Sequence, residues 1–414
     1  MKTQPTDSSS SFPVTPGAKR KLPAGIWALG FVSLLMDASS ELVHSLLPVF
    51  MVTVLGASMT TIGLIEGVAE ATAAITKIFS GVISDYFGRR KLLAVLGYGL
   101  AALTKPVFPL ATTIGWVFAA RFVDRIGKGI RGAPRDALVA DIAPVELRGA
   151  AYGLRQSLDS VGAFVGPLLA LGLMAWFANN IHAVLWAAVI PAFLAVALLV
   201  LGVSEHRHAE GHVRMPVTLS ELKKLSLRYW LVVLLGAVFT LARFSEAFLI
   251  LRAQDVGLAL GYIPMVLIVM NIFYAATAYP AGVATDRIGH RTTLVWGLGI
   301  LVLADIILAM ATSPLTALTG AALWGLHMGF TQGLLSKLVA DNVPAALRGS
   351  AFGIFNLVSG GALLLASVIA GVLWSAYGAS ATFLAGAVFA ALSMVGLFIW
   401  RRNPQDAQEE RSNS

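Results

Sequence analysis

Long apolar runs decide what this chain can fold into. A helix that crosses a bilayer needs about 20 mostly apolar residues, and such runs recur along nearly the whole sequence. Their approximate bounds are 24–51, 59–84, 91–111, 113–142, 147–175, 182–203, 229–252, 260–284, 291–311, 314–342, 348–374 and 379–400. The runs are continuous and rich in Leu, Ala and Gly, whereas a membrane β-barrel would show short alternating segments. The expected fold is an all-α membrane protein with twelve transmembrane helices. Composition agrees, with 57% hydrophobic and 13% charged residues against roughly 25% charged in soluble domains. So little polar surface excludes an ordinary cytosolic enzyme, a disordered chain and a nucleic-acid-binding module.

Charge sets the expected topology. Residues 1–23 form a Ser-, Thr- and Pro-rich tail with Lys19, Arg20 and Lys21 and no apolar signal-peptide core, so they read as a disordered cytoplasmic tail. Basic residues also mark the second-to-third connection (Arg89, Arg90, Lys91), the central stretch 204–228, the eighth-to-ninth connection (Arg287, Arg291) and the C-terminal tail 401–414. The alternate connections, near 53–58, 176–181, 312–314 and 375–380, carry none. Bases gather on the cytoplasmic side, so a multi-pass protein of the cytoplasmic (inner) membrane with both termini inside is expected. The net charge of +8 fits loops beside an anionic lipid face.

The chain repeats itself. Leu138-Val139-Ala140-Asp141, Pro144, Leu147-Arg148-Gly149, Ala151 and Gly153 return two hundred residues later as Leu338-Val339-Ala340-Asp341, Pro344, Leu347-Arg348-Gly349, Ala351 and Gly353. Gly81-Val82 with Asp85 and Gly88 returns as Gly282-Val283 with Asp286 and Gly289, and Ser40-Glu41 as Ser245-Glu246. Two six-helix bundles, 24–203 and 229–400, joined by a polar linker at 204–228, are the expected domains. Repeats of this kind are the architecture of alternating-access carriers.

These residues resemble a known family. Gly81-Val82-Ile83-Ser84-Asp85-Tyr86-Phe87-Gly88-Arg89-Arg90-Lys91 is similar to the signature loop of the major facilitator superfamily (MFS), with Tyr86 in place of the usual Arg. The second copy runs from Gly282 through Asp286 to Arg291. The resemblance implies a gate formed by Gly81, Asp85, Gly88, Arg89 and Arg90 with Gly282, Asp286 and Arg291. The run Asp124-Arg125-Ile126-Gly127-Lys128-Gly129-Ile130-Arg131-Gly132-Ala133-Pro134-Arg135-Asp136-Ala137 resembles a bacterial and archaeal subgroup of that superfamily. Gly153, Gly162, Gly166 and Pro167 match the spacing of the family's antiporter motif, whose closing Gly-Gly is Ala170-Leu171 here. That motif implies export by exchange; small residues also simply let helices pack closely.

Ionisable residues at membrane depth are costly and are usually functional, paired or both. The first span has Asp37, Glu41 and His44 on one face, and the second has Glu66, Glu70 and Lys77. The fourth carries Arg121, Asp124, Arg125, Lys128, Arg131, Arg135 and Asp136 on one half of its surface, and the fifth has Arg155 and Asp159. With histidine neutral these charges cancel, which fits an internal ion-pair network. Acids that lose partners when two bundles rock would also carry protons. The proton-coupling candidates are Asp37, Glu41, Glu66, Glu70, Arg121 and Asp124, with Arg121 and Lys128 expected to pair Asp37 and Glu41. Arg125, Lys128, Arg131, Arg155 and Asp159 are cavity candidates, joined by Arg243, Glu246, Asn271, Tyr274, His327, Gln332 and Asn356 from the second half.

No Walker loop or nucleophile–base pair points to an enzyme. With no cysteine and no fixed ligand spacing in the linker histidines, no cofactor or metal is expected. The reading is a monomeric secondary transporter in the lipid bilayer, exporting a small-molecule substrate in exchange for protons, with no nucleic-acid partner. Transport of an anionic metabolite or metal chelate such as a siderophore, with Arg121, Arg125, Lys128 and Arg131 as anion site, stays open. So does a receptor or scaffold on a transporter fold.

Overall fold

The computed structural model describes residues 22–87, 89–204, 225–331, 334–344 and 347–399, without the side chains of Val82, Asp85, Tyr86, Phe87, Asp286, Ser336 and Gly349. The expected tails, most of the linker, and the gate and cavity candidates Gly88, Gln332 and the Asp85 and Asp286 carboxylates lie outside the described residues.

Among the described residues the chain is helical with no strand. The first set comprises α1 (Ala24–Thr53), α2 (Met59–Phe87), α3 (Arg90–Thr104), the single turn α4 (Val107–Leu110), α5 (Ile114–Ile142), α6 (Arg148–Trp176), α7 (Ile181–Ala187) and α8 (Val189–Gly202). The second comprises α9 (Leu227–Leu241), α10 (Ala247–Asp255), α11 (Met265–Ile288), α12 (His290–Ala309), α13 (Pro314–Thr331), α14 (Leu334–Asp341), α15 (Arg348–Tyr377) and α16 (Ala379–Ile399).

Eight helices among the described residues are long and apolar enough to cross a bilayer; this is a multi-pass membrane protein. Four of the expected spans are not among these eight, three of them for physical reasons. Runs 59–84 and 113–142 carry the charged residues of α2 and α5. Run 229–252 is broken between α9 and α10, and of run 314–342 the described residues are those of α13, α14 and Asn342.

The sequence repeat has a counterpart in space. Lys91, at the start of α3, donates to the Val200 carbonyl near the end of α8 (2.8 Å). Arg291, at the start of α12, donates to the Phe398 carbonyl near the end of α16 (2.9 Å) and lies over the Phe398 ring. In each set a base satisfies a carbonyl that a helix end leaves orphaned.

The two sets meet chiefly along three helix pairs, α2 with α15, α6 with α11, and α1 with α10. The α2–α15 seam is backbone on backbone. A β-carbon at Gly63 would run into the Ser367 carbonyl, one at Gly371 into the Met59 carbonyl, and one at Gly67 would lie 2.9 Å from the Leu364 carbonyl. Thr60 Oγ1 donates to Ser375 Oγ (2.9 Å). This seam lies toward the connections that carry no bases.

Candidate functional site

Between the two sets, on the basic-loop side of the seam, lies a cavity of about 560 Å³. Its walls differ in chemistry. The first set contributes Glu41, His44, Glu70, Arg125 and Lys128; the second contributes the aromatic rings of Phe239, Phe244, Trp324 and Phe355 together with Arg243 and Glu246.

The charged wall is held from behind by buried ion pairs. Arg121 of α5 binds Glu66 of α2 through two parallel bonds, Nη2 to Oε2 at 2.7 Å and Nε to Oε1 at 3.2 Å. Both side chains are almost fully buried, where a two-point geometry is the strongest available. Arg125 reaches Glu70 (3.2 Å) and Arg131 reaches Asp37 (3.8 Å) while lying over the Tyr98 ring. Arg135 contacts Asp136 and Asp159, and Arg155 contacts the same two acids. The stripe on α5 is therefore the spine of the network, pairing with α1, α2 and α6.

Two pairings differ from the sequence expectation. Arg121 serves Glu66 rather than Asp37 or Glu41, and Glu41 bonds to His44 one turn along its own helix (3.3 Å). Asp124 is held by Lys105 (2.9 Å), which also donates to Ser40. Lys105 lies where α3 gives way to α4, and it is buried. Sequence reasoning missed it because one base in an apolar run carries no periodic signal.

Lys128 is exposed to the cavity and makes no ion pair among the described residues. Arg243 lies over the Phe239 ring (5.7 Å) and also has no acid within ion-pair distance among them. Arg243 and Glu246 stand in the non-helical segment 242–246 between α9 and α10. The free backbone N–H of Ser245 is taken by the Ser367 hydroxyl of α15 (3.2 Å). Irregular backbone at membrane depth survives only where it is so satisfied or lines a cavity.

The other candidates lie off the cavity wall. Arg131, Arg155 and Asp159 belong to the ion-pair network. Asn271 Nδ2 donates across the two sets to the Ala163 carbonyl (3.5 Å). Tyr274 is half-buried on the same helix, and Asn356 is exposed beside Phe355. His327 is fully buried behind Trp324, with Nδ1 at the Gly297 carbonyl (3.0 Å). Of the gate residues, Arg90 pairs with Asp141, Arg89 precedes α3 as its N-cap, and Gly81 and Gly282 have no tight neighbour among the described residues.

Gly162 and Gly166 seat α6 on α1. An added β-carbon would lie 2.5 Å from the Leu34 carbonyl at Gly162 and 2.7 Å from the Ala38 carbonyl at Gly166. Gly153 has nothing within 4 Å among the described residues, and Pro167 is buried inside α6.

The model of the Major Facilitator Superfamily matches residues 29–252 and again 232–414. The chain belongs to the major facilitator superfamily. It is therefore a transporter and not an enzyme, and its substrate is a small molecule. An uncharacterised MFS-type transporter of Methanocaldococcus jannaschii is 32% identical over 389 residues, covering 92% of this chain and 96% of the relative. The class C tetracycline resistance protein of Escherichia coli is 30% identical over 346 residues, covering 78% and 82%. A solved structure of the nucleoside transporter NupG, 13% identical, superposes with a TM-score of 0.75 over 90% of this chain and 99% of that one; at that identity the likeness is one of MFS fold.

Proposed function

We propose that this MFS protein exports a small organic compound in exchange for protons. It does so as two six-span bundles, 24–203 and 229–400, with both termini in the cytoplasm and the linker 204–228 between them. The observation that carries the reading is the two-faced cavity. An aromatic wall takes the body of an organic molecule. Across it stand two carboxylates of the first set, Glu41 beside His44 of its own helix and Glu70 beside Arg125 of α5. With bases on the cytoplasmic side, the α2–α15 seam is the outer closure and the cavity faces inward. The likeness of the fifth-span motif to that of antiporters supports the direction. Asp85 and Asp286 then act as latches of the inner gate, formed when the basic ends of the bundles close.

Lys128 and Arg243 favour a second reading, in which the cargo is an organic anion or a metal chelate. Two cations without acid partners among the described residues line one cavity from opposite bundles, and such a pair suits a carboxylate or phosphate.

The test is proton exchange in inverted vesicles from cells making the protein. The vesicles are acidified inside by respiration and challenged with a panel that includes tetracycline, ferric chelates and aromatic carboxylates. Collapse of the proton gradient by one compound, absent in vesicles without the protein, is the expected result. Saturable uptake of a panel member that ignores the gradient would replace exchange with facilitated diffusion.

A further inference from the structure

One acid in the second bundle is left over by the cavity account. Asp305 lies on α12, one turn before its end, and is fully buried. Neither carboxylate oxygen has a hydrogen-bond partner among the described residues. It packs against Gly386 of α16 so closely that a β-carbon there would lie 2.6 Å from Oδ2, and the same point is 2.9 Å from the Phe244 ring. Asp305 and Phe244 thus share one small space.

The charged groups around it are committed elsewhere. From α10, Arg252 donates to the carbonyls of Leu308, Ala309 and Ala311 and pairs with Asp255. From α13, His327 bonds to Gly297, eight residues back along α12 and so about 12 Å away. The α16 segment has no titratable side chain. Asp286 and Arg287 of α11 belong to the opposite end of α12, where the two helices join. Arg243 and Glu246 line the cavity. An ionised Asp305 would lose its water and gain no cation among the described residues. An apolar residue would fill the space without that cost.

Phe244 is the partition. One side of it lines the cavity, and its ring meets Trp324 (5.3 Å), Phe383 (5.5 Å) and Phe248 (5.7 Å). It stands in the unwound segment 242–246, whose backbone is tied to Ser367 on the seam helix α15. Parting of the α2–α15 seam therefore pulls on the segment that carries the partition.

We propose that Asp305 is a proton-binding site of the second bundle, shut off from the cavity by Phe244 in this conformation and opened to water when the seam parts. On opening, the carboxyl O–H bond breaks, its proton goes to water and the carboxylate remains; the reverse reloads it. This rests on the exchange reading above.

Infrared spectroscopy of the purified protein in lipid reads the carboxylic C=O band directly and needs no substrate. The expected result is a protonated-carboxyl band in the unmodified protein that is lost in Asp305→Asn. In D2O that band should shift slowly in the unmodified protein and promptly in Gly63→Trp, whose side chain wedges the seam. Gly371→Trp, on the facing helix, serves if the first variant does not accumulate. Labelling of Ser359→Cys by an impermeant maleimide in inverted vesicles reports whether the wedge works, and a loss of labelling is expected. No band assignable to Asp305 overturns the proposal. So does equal exchange in both forms while labelling falls. Labelling that neither wedge changes overturns the alternating-access reading itself.

Discussion

The guanidinium of Arg121 and the carboxylate of Glu66 face each other in two parallel hydrogen bonds, almost fully buried between α5 and α2. The pair ties the charged spine to the helix that forms the seam with the second bundle.

Removing one partner strands the other charge. Glu66→Gln or Arg121→Met alone should destabilise the first bundle by about 3–5 kcal/mol, read as a fall in the thermal midpoint in detergent. The double variant Glu66→Leu with Arg121→Met should recover most of that loss. Single variants with an unchanged midpoint would mean the pair is solvated and not structural.

Lys128 should behave oppositely. It is exposed to the cavity and makes no ion pair among the described residues, so Lys128→Ala should leave the thermal midpoint within the shift of about 0.5 kcal/mol usual for exposed sites. For an anionic cargo its apparent affinity in the vesicle assay should fall about tenfold, roughly 1.4 kcal/mol. Unaltered affinity for every transported compound would remove the anion reading.

The glycines of α6 separate packing from motif. Gly162→Leu or Gly166→Leu must push α6 off the α1 backbone and should cost 1–3 kcal/mol or more, taking about the range for overpacked interiors. Gly153→Ala has open space and should be neutral or slightly stabilising in a helix. Pull-down yield and thermal midpoint in detergent measure both.

Apolar runs and the internal repeat were legible in sequence because they are periodic in one dimension. Lys91 on Val200 and Arg291 on Phe398 show the repeat again in three. The α5 stripe was legible for the same reason, since seven charges on one helix face make a pattern. Partners were not legible. Which acid meets Arg121 depends on helix packing, and Lys105 and Asp305 are single charges in apolar runs. The break at 242–246 has neither Pro nor Gly; a serine 122 residues away takes its free N–H, a tertiary contact that no local propensity encodes.

Cross-linking the seam tests the central claim of alternating access most directly. The chain has no cysteine, so Thr60→Cys with Ser375→Cys introduces its only thiols, at side chains whose oxygens lie 2.9 Å apart. Oxidation should join α2 to α15 and hold the outer closure shut. The expected result is loss of substrate-driven proton exchange on oxidation, with recovery after reduction. A fully cross-linked protein that exchanges at the rate of its reduced form would contradict the mechanism.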